Sequence, residues 1–222
     1  MAATIGVAAL LSATLTSCQK DQQAAPVTKS TVASNSMAVV NATNSLAATY
    51  TTAAPISYYS KSNITISGLS ISGGGNCIAL YNCTNVHITN CRLADAAAYG
   101  IMLNNCKNIT VDNCFITNVK SGVHVYQGST IKVNSNQFLN MLGPFPDGCF
   151  VQFAGVSGGG NQINNNKCED IPGVGHPQDV LSLYQSTGLQ GASIQVIGNW
   201  IRGGQVQPDS GGAAGIVIGD DR

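Results

Sequence analysis

The 222-residue sequence has little charge and few aromatic residues. Only 9% of its residues are Asp, Glu, Lys or Arg, 6% are aromatic, and the formal net charge is zero. Globular domains ordinarily contain about 25% charged residues, so the chain lacks the basic surface that binds nucleic acid or an anionic membrane. We therefore expect no nucleic-acid partner. A hydrophobic fraction of 44% nevertheless excludes a wholly disordered chain and predicts one main folded domain.

An apolar segment long enough to span a bilayer is also missing at the N-terminus, where the apolar run is short and interrupted by Ser and Thr. The run ends in LTSC at residues 15–18, which resembles the lipobox of bacterial lipoproteins, in which the Cys is lipid-modified. Residues 19–21, QKD, resemble the export signal of surface lipoproteins of the Bacteroidota, although no Lys or Arg precedes the run. We expect a signal segment over residues 1–18 and a lipid anchor on Cys18. The alternative is a Cys that follows an ordinary apolar run by chance.

These features predict a location at the bacterial outer membrane or cell surface, with the lipid as the only contact with the membrane. Residues 19–50 are rich in Ala, Ser and Thr, a composition typical of a flexible tether. We expect the folded part to follow over residues 51–222.

From residue 62 onward, short apolar pairs repeat at intervals of about 22 residues. One set recurs without interruption: Ile64/Ile66, Val86/Ile88, Ile109/Val111 and Ile131/Val133. A second set begins with the same step and is then stretched by inserted loops: Ile78/Leu80, Ile101/Leu103, Val123/Val125, Cys149/Val151, Leu181/Leu183 and Ile216/Ile218. Residues two apart on a strand face the same side, so we expect both sets to point into a core.

A period of this length predicts a solenoid. The Leu-x-x-Leu-x-Leu pattern of leucine-rich repeats is absent from the sequence. Ile- and Val-rich strands separated by Gly and Asn are instead typical of stacked parallel strands. We therefore predict an all-β chain, a right-handed parallel β-helix of roughly six coils.

The cysteines are regularly placed but lack the close-pair spacing of zinc ligands. Five residues occupy one predicted turn position, three residues after an inward side chain: Cys91, Cys114, Asn136, Asn166 and Asn199. In such a column, Asn side chains can hydrogen-bond from coil to coil, while Cys serves as a small buried hydrophobe. Cys83 and Cys106 form a second predicted stack, and a disulfide between stacked cysteines stays open at this point.

Four segments carry a family resemblance: KSNITISGLSI, CIALYNCTNVHITNC, HPQDVLSLYQSTG and IQVIGNWIRGG. They resemble the right-handed parallel β-helix repeat proteins of the Bacteroidota, and the resemblance covers residues 61–222. It implies the pectate-lyase-like fold group, whose better known members cleave or bind acidic polysaccharides. Relatives carry Pro-Glu-Asp where this chain has Pro-Gln-Asp at 177–179, and they continue for several coils beyond residue 220, so we expect the chain to be truncated at its C-terminal end. Fold alone does not fix function.

From residue 138 onward, long loops flank the strands of the second apolar set on both sides. Loops that rise on both flanks of a flat sheet form a groove. The outward residues of the strands are the expected floor of this groove: His124, Tyr126, Phe150, Gln152, Ser182 and Tyr184. Aromatic rings beside amides and hydroxyls suit the apolar faces and hydroxyl rims of sugars. The alternative is that these side chains only cover the sheet.

Asp147 and Asp179 each precede a strand, one coil apart, so the repeat would stack them at about 5 Å. Two carboxylates at that distance share a proton or a cation, which makes calcium the candidate cofactor; the sequence offers no other metal site. His176 is a candidate proton carrier, and Lys120 a candidate base for β-elimination of a uronate. The alternative for each Asp is a turn cap that binds backbone amides.

Three functions follow from these observations. The first is a lipid-anchored β-helix that engages polysaccharide, with lyase-like cleavage of a uronate glycan as its reaction. The second is a non-catalytic surface module that binds glycan or protein, and the third is a purely structural or adhesive β-helix. Glycoside hydrolases of this fold carry Asn-Thr-Asp, Asp-Asp and Gly-His-Gly motifs in that order, whereas this chain has only Gly-His-Pro at 175–177 and then Asp-Asp at 220–221. A lyase is therefore favoured over a hydrolase, and whether the chain is an enzyme stays open.

Overall fold

The computed structural model describes residues 49–143, 148–203 and 214–219. All of them belong to one compact unit, Ser45–Arg222. These ranges contain strands and turns, and none of their elements is a helix of the length and apolarity needed to cross a membrane.

The strands form three faces that the chain visits in turn. The first face consists of β1 (Thr51–Ala53), β4 (Leu69–Ser72), β7 (Arg92–Ala94), β9 (Phe115–Val119), β11 (Gln137–Met141), β14 (Lys167–Glu169) and β17 (Trp200–Arg202). The second face consists of β2 (Ile56–Tyr59), β5 (Ile78–Tyr81), β8 (Tyr99–Asp112), β10 (Ser121–Asn134), β12 (Cys149–Val156), β15 (Asp179–Tyr184) and β18 (Ala214–Gly219). The third face consists of β3 (Ser62–Ser67), β6 (Thr84–Thr89), the second halves of β8 and β10, β13 (Gln162–Asn164) and β16 (Gln195–Ile197).

Every ladder between these strands is parallel and joins equivalent strands of consecutive coils. The described strands make six complete coils and two strands of a seventh. The predicted parallel β-helix of roughly six coils is therefore confirmed.

The two sets of apolar pairs build the core, as predicted. Along the third face, the register places Ile64 opposite Val86, Val86 opposite Ile109, and Ile109 opposite Ile131. The pairs of the second set stack in the same way from β5 to β18 with one exception: Val151/Phe153, and not the predicted Cys149/Val151, lies opposite Val123/Val125 and Leu181/Leu183. The prediction for this pair is therefore wrong by two residues, and the pairs of the middle coils are fully buried. Burial of each such side chain stabilises the fold by about 1.5–3 kcal/mol, so the repeated pairs hold the coils together.

The corners between faces use left-handed backbone conformations, and Asn is the commonest side chain there. Asn63, Asn85 and Asn108 follow one another at one corner with φ values of 57°, 54° and 53°. Asn tolerates this region better than most residues because its short polar side chain bonds locally. At this corner each amide also donates to the one on the preceding coil, at 3.0 and 2.7 Å.

The predicted column of buried asparagines is confirmed. The Asn136 side chain donates to Asn166 Oδ1 at 3.1 Å, and Asn166 donates to Asn199 Oδ1 at 3.0 Å. Cys91 and Cys114 occupy the same column on earlier coils and are buried. The second predicted stack is also present, since Lys107 N donates to Cys83 O at 3.0 Å, which places Cys83 beside Cys106. Both thiols are free, so the disulfide that the sequence left open is not formed.

Candidate functional site

The outer surface of the second face carries two parallel rows of side chains. The polar row consists of residues in direct register: His124, Gln152 and Ser182. The tyrosine column lies two residues further along each strand and runs through Tyr59, Tyr81, Asn104, Tyr126, Ala154 and Tyr184. The register therefore brings together five of the six residues predicted for the groove floor.

The polar row is covered rather than open. His124, Gln152 and Ser182 alternate with inward residues and so lie on the outer side of the strands, yet all three are buried. The His124 ring stacks on Tyr99 with centroids 4.7 Å apart. Gln152 Oε1 is buried and accepts no hydrogen bond from the described residues. An unsatisfied buried acceptor is uncommon in folded proteins, so a hydroxyl donor that reached Gln152 would be stabilised.

The prediction for Phe150 is wrong. Its side chain has no exposed surface and packs in the core, edge-on to Phe138 with centroids 6.2 Å apart. Gly122 on the preceding coil makes space for the Phe138 ring, since a Cβ at Gly122 would lie 2.7 Å from Phe138 Cδ1. Phe150 is the second residue of β12, where the chain is still entering the face, and its neighbours Cys149 and Val151 are also fully buried. The alternation of inward and outward side chains seen in the middle of β12 therefore does not extend to Phe150.

The tyrosine column presents exposed aromatic surface along one edge of the face. Tyr59 is 64% exposed, Tyr126 48% and Tyr184 38%. On the first two coils, the rings of Tyr59 and Tyr81 stack with centroids 4.7 Å apart and an interplanar angle of 9°. Sequence reasoning found Tyr126 and Tyr184 but missed the stacked pair, although the 22-residue interval between Tyr59 and Tyr81 matches the repeat.

The predicted catalytic residues that the structure describes lie at the opposite edge, where the strands of the second face begin. Lys120 O accepts from Gly143 N at 3.2 Å, and His176 N donates to Met141 O at 2.8 Å. These bonds place Lys120 and His176 at the same edge, two layers apart, with residues 141–143 between them. Asp179 is the first residue of β15 and is buried.

The predicted pairing of Asp147 with Asp179 stays a prediction. Asp179 lies opposite Cys149, two residues after Asp147, and Asp147 itself lies outside the described residues. Among the residues that the structure describes, no group of three or more His, Cys, Asp or Glu side chains could hold a metal ion. The calcium hypothesis therefore depends on Asp147 and stays a prediction.

Sequence reasoning missed Asp170, which follows β14 at the same edge. Its side chain is 2% exposed, and neither carboxylate oxygen has a hydrogen-bond donor among the described residues. Burial raises the pKa of Asp170 to about 6, and the charge of His176 opposes this rise. Gly175 and Gly203 pack so closely on Asp170 that a Cβ at either position would collide with it. The loop path creates this environment, and no periodic signal reveals it.

The third face carries a second polar feature, a shallow depression of about 340 Å³. In it, His87 Nε2 lies 2.9 Å from Asp112 Oδ2, and the Thr89 hydroxyl donates to the other oxygen of the same carboxylate. The side chains of His87 and Asp112 are 45% and 23% exposed. This hydrogen-bonded contact is partly open to solvent and was not predicted.

The comparisons with known proteins agree with the fold. The model of the family described as right handed beta helix region matches residues 20–168 and again residues 54–221. No curated protein matches the chain. The predicted anchor residue Cys18 lies outside the described residues, so the lipoprotein hypothesis stays a prediction. With the repeat, the parallel register and the family match in agreement, the chain belongs to the right-handed β-helix family.

Proposed function

We propose that the chain binds a polysaccharide across the outer surface of the second face. The observation that carries this proposal is the tyrosine column, in which exposed rings recur in register beside the polar row. Tyrosine offers an apolar ring and a hydroxyl, which match the apolar face and hydroxyl rim of a pyranose. Because equivalent side chains recur at about 4.8 Å along the axis, a repeating polymer would contact several of them at once.

Composition supports the same proposal. The chain has a formal net charge of zero and 9% charged residues, so binding through a broad charged surface is not expected. Hydrogen bonds and ring stacking are the interactions that this surface offers. A non-catalytic glycan-binding module needs no more than that.

The proposal is tested by measuring binding of the full chain to a panel of neutral and uronic-acid polysaccharides by calorimetry. We expect at least one acidic glycan to bind, and Tyr126→Ala to weaken that binding by at least tenfold. Tyr50→Ala is the matched control, since Tyr50 is 36% exposed but precedes β1 and lies off the tyrosine column. Absence of binding to every member of the panel, or equal losses in the two variants, would overturn the proposal.

Lyase-like cleavage is the second candidate function. It is favoured by the titratable groups at the entry edge of the face, where buried Asp170 has a pKa of about 6 beside His176. Groups that titrate near neutral pH are suited to proton transfer. On this proposal Lys120 or His176 removes the C5 proton of a uronate, and the C4–oxygen bond to the next sugar breaks as the C4–C5 double bond forms. The leaving oxygen takes a proton from solvent, and Asp179 with Asp147 would hold the substrate carboxylate through a calcium ion.

Cleavage is measured as absorbance of unsaturated product on uronate polysaccharides, with and without added calcium. We expect Asp179→Asn to abolish any such signal while glycan binding by the tyrosine column persists. Absence of product from the wild-type protein under all these conditions would remove the lyase and leave the binding module.

We propose further that Cys18 carries a lipid that holds the β-helix at the outer membrane or cell surface. A multiply acylated cysteine anchors firmly, whereas a single acyl chain gives only weak binding. The variant Cys18→Ser should therefore move the protein from the membrane fraction to the soluble fraction. Unchanged partitioning of this variant would rule the anchor out.

A further inference from the structure

The tyrosine column is interrupted at Asn104 and at Ala154, and at Ala154 a small residue separates two exposed rings. Tyr126 lies opposite Ala154, and Ala154 lies opposite Tyr184. Two rungs of a parallel sheet span about 10 Å, so the space between the two tyrosines is wide enough for one further flat ring. On the first two coils, Tyr59 and Tyr81 show the spacing of a column without this gap, 4.7 Å between centroids. A flat ring placed over Ala154 would lie about that far from both tyrosines.

The floor and one wall of this gap suit a polar ring. Ala154 is 8% exposed, so it forms a small apolar floor between its neighbours. Gln152 precedes it by two residues and therefore lies on the same outer side of β12. Its buried Oε1 accepts no hydrogen bond from the described residues. If the Gln152 side chain turns toward the gap, a hydroxyl on the inserted ring would satisfy that acceptor, which an aromatic hydrocarbon ring could not do.

A polar hollow of about 390 Å³ begins at the next residue of each strand. Its lining includes Gln127 and Gly155, which directly follow Tyr126 and Ala154, together with Asn105, Lys107 and Ser129. Gly155 has a φ of 69°, and a Cβ there would lie 3.6 Å from Gln127 Cγ. The hollow can therefore hold the substituents of a ring that occupies the gap.

Lys107 gives the hollow a positive charge. Its side chain is exposed, and among the described residues no carboxylate forms an ion pair with it. An ammonium group in this position favours an anionic substituent. The amides and the hydroxyl around it can bind the neutral oxygens of a sugar.

We propose that this gap is a subsite for one pyranose ring of an acidic glycan. The ring inserts between Tyr126 and Tyr184 above Ala154. Lys107 lies on β8, two coils before Ala154 on β12, so the carboxylate beside it belongs to an adjoining sugar on the far side of Tyr126. This inference rests on the proposed glycan binding and assigns it a specific position and a specific class of sugar. The inference can be distinguished from simple stacking on an aromatic surface, because a side chain that fills the gap would block the subsite but would not block stacking.

The first test fills the gap. Ala154→Tyr completes the column, so we expect it to weaken binding of an acidic oligosaccharide at least tenfold while the melting temperature stays equal or rises. Thr65→Tyr is the matched control, because it adds a tyrosine at an exposed position of β3 on the third face, off the tyrosine column; its affinity should be retained. If Ala154→Tyr fails to fold, Ala154→Val narrows the same gap and should also weaken binding.

If the tyrosines acted only as a flat surface, Ala154→Tyr would bind as well as wild type or better, and that outcome would overturn the subsite while leaving the proposed function intact. The second test replaces Lys107 with Gln. We expect at least a fivefold loss for the acidic oligosaccharide and no change for its methyl-esterified form. Equal affinities of the wild-type protein for the two forms would overturn the assignment of an acidic sugar. Failure of the wild-type protein to bind any glycan would instead refute the proposed function itself.

Discussion

The two halves of one buried column, cysteine on the earlier coils and asparagine on the later ones, hold their turns by related contacts. Cys114 Sγ donates to the carbonyl of Asp112, two residues earlier, at 3.2 Å, and to that of Ile88 on the preceding coil at 3.9 Å. Asn136 Nδ2 donates to the equivalent carbonyls of Asn134 and Val111 at 3.1 and 3.0 Å. The same backbone groups therefore receive either a weak thiol donor or a strong amide donor.

The asparagines also accept strong hydrogen bonds from the backbone, where cysteine offers only a weak sulfur acceptor. Asn136 Oδ1 accepts from Cys114 N at 3.0 Å, and Asn166 Oδ1 accepts from Asn136 N at the same distance. Each amide thus links a coil to both of its neighbours. The coils that carry long loops are the ones with this two-way link, so we infer that the amides fix the register where the chain departs furthest from the helix.

The largest expected effect comes from breaking the asparagine half. Asn136→Leu should destabilise the protein by about 2–4 kcal/mol, because it leaves Cys114 N and two buried carbonyls without partners. The free energy of unfolding is measured in urea. Cys114→Ala is the matched control in the cysteine half, and it should cost only about 1 kcal/mol for the lost packing of one sulfur. Equal losses in the two variants would contradict the comparison.

A contrast of the same kind exists at another corner, where a satisfied amide lies below an unsatisfied carboxylate. Asn140 Oδ1 accepts from Ile171 N at 2.9 Å, whereas Asp170 has no donor among the described residues. Because burial raises the pKa of Asp170 to about 6, the folded protein binds the proton more tightly than the unfolded chain. The stability contributed by this group is complete below about pH 4 and is lost as the pH rises to about 6.

Asp170→Asn should remove this pH dependence and stabilise the protein at pH 7 by about 1–3 kcal/mol. Thermal melts of wild type and variant between pH 4 and pH 8 provide the measurement. Parallel curves for the two proteins over that range would show that Asp170 is solvated in the native state.

Extending the asparagine half by one coil sharpens the comparison. In Cys114→Asn, the new amide keeps the donor contacts of the thiol and replaces its weak sulfur acceptor with an oxygen that can face the Cys91 backbone. We expect a gain of about 1 kcal/mol, the typical net value of one intramolecular hydrogen bond. A loss of stability in urea would mean that the earlier turns are too tight for an amide.

The smallest expected effect is that of a reductant. The cysteines of the described ranges are free and buried, so dithiothreitol should not change the melting temperature. Burial also raises the pKa of Cys77 to about 11 and that of Cys168 to about 12, so alkylation at pH 8 should be slow until denaturant is added. A melting temperature that falls on reduction would indicate a disulfide.

The sequence predicted the features that depend on periodicity. The first set of apolar pairs recurs at a nearly fixed step and stacks as predicted, and the hydrogen bonds between Asn136 and Asn166 confirm the turn column. Loops interrupt the second set, and there the predicted pair Cys149/Val151 lies two residues from the pair in register, Val151/Phe153. Phe150 was misplaced because strict alternation does not hold where a strand begins. Asp170 was missed because its burial results from the path of one loop around Gly175 and Gly203, which no repeat encodes.

The spacing of the buried column shows that the number of residues in a coil does not determine the axial length of the β-helix. The side chains that link consecutive coils are 22, 30 and 33 residues apart in sequence, yet each step advances the helix by a single rung of about 4.8 Å. Extra residues at a corner therefore add no axial length, and lengthening a loop twofold adds only about 0.6 kcal/mol of closure entropy. The β-helix can thus accept inserted loops of very different size and sequence while the rest of the molecule keeps its dimensions, which makes the corners suitable places to graft new binding surfaces.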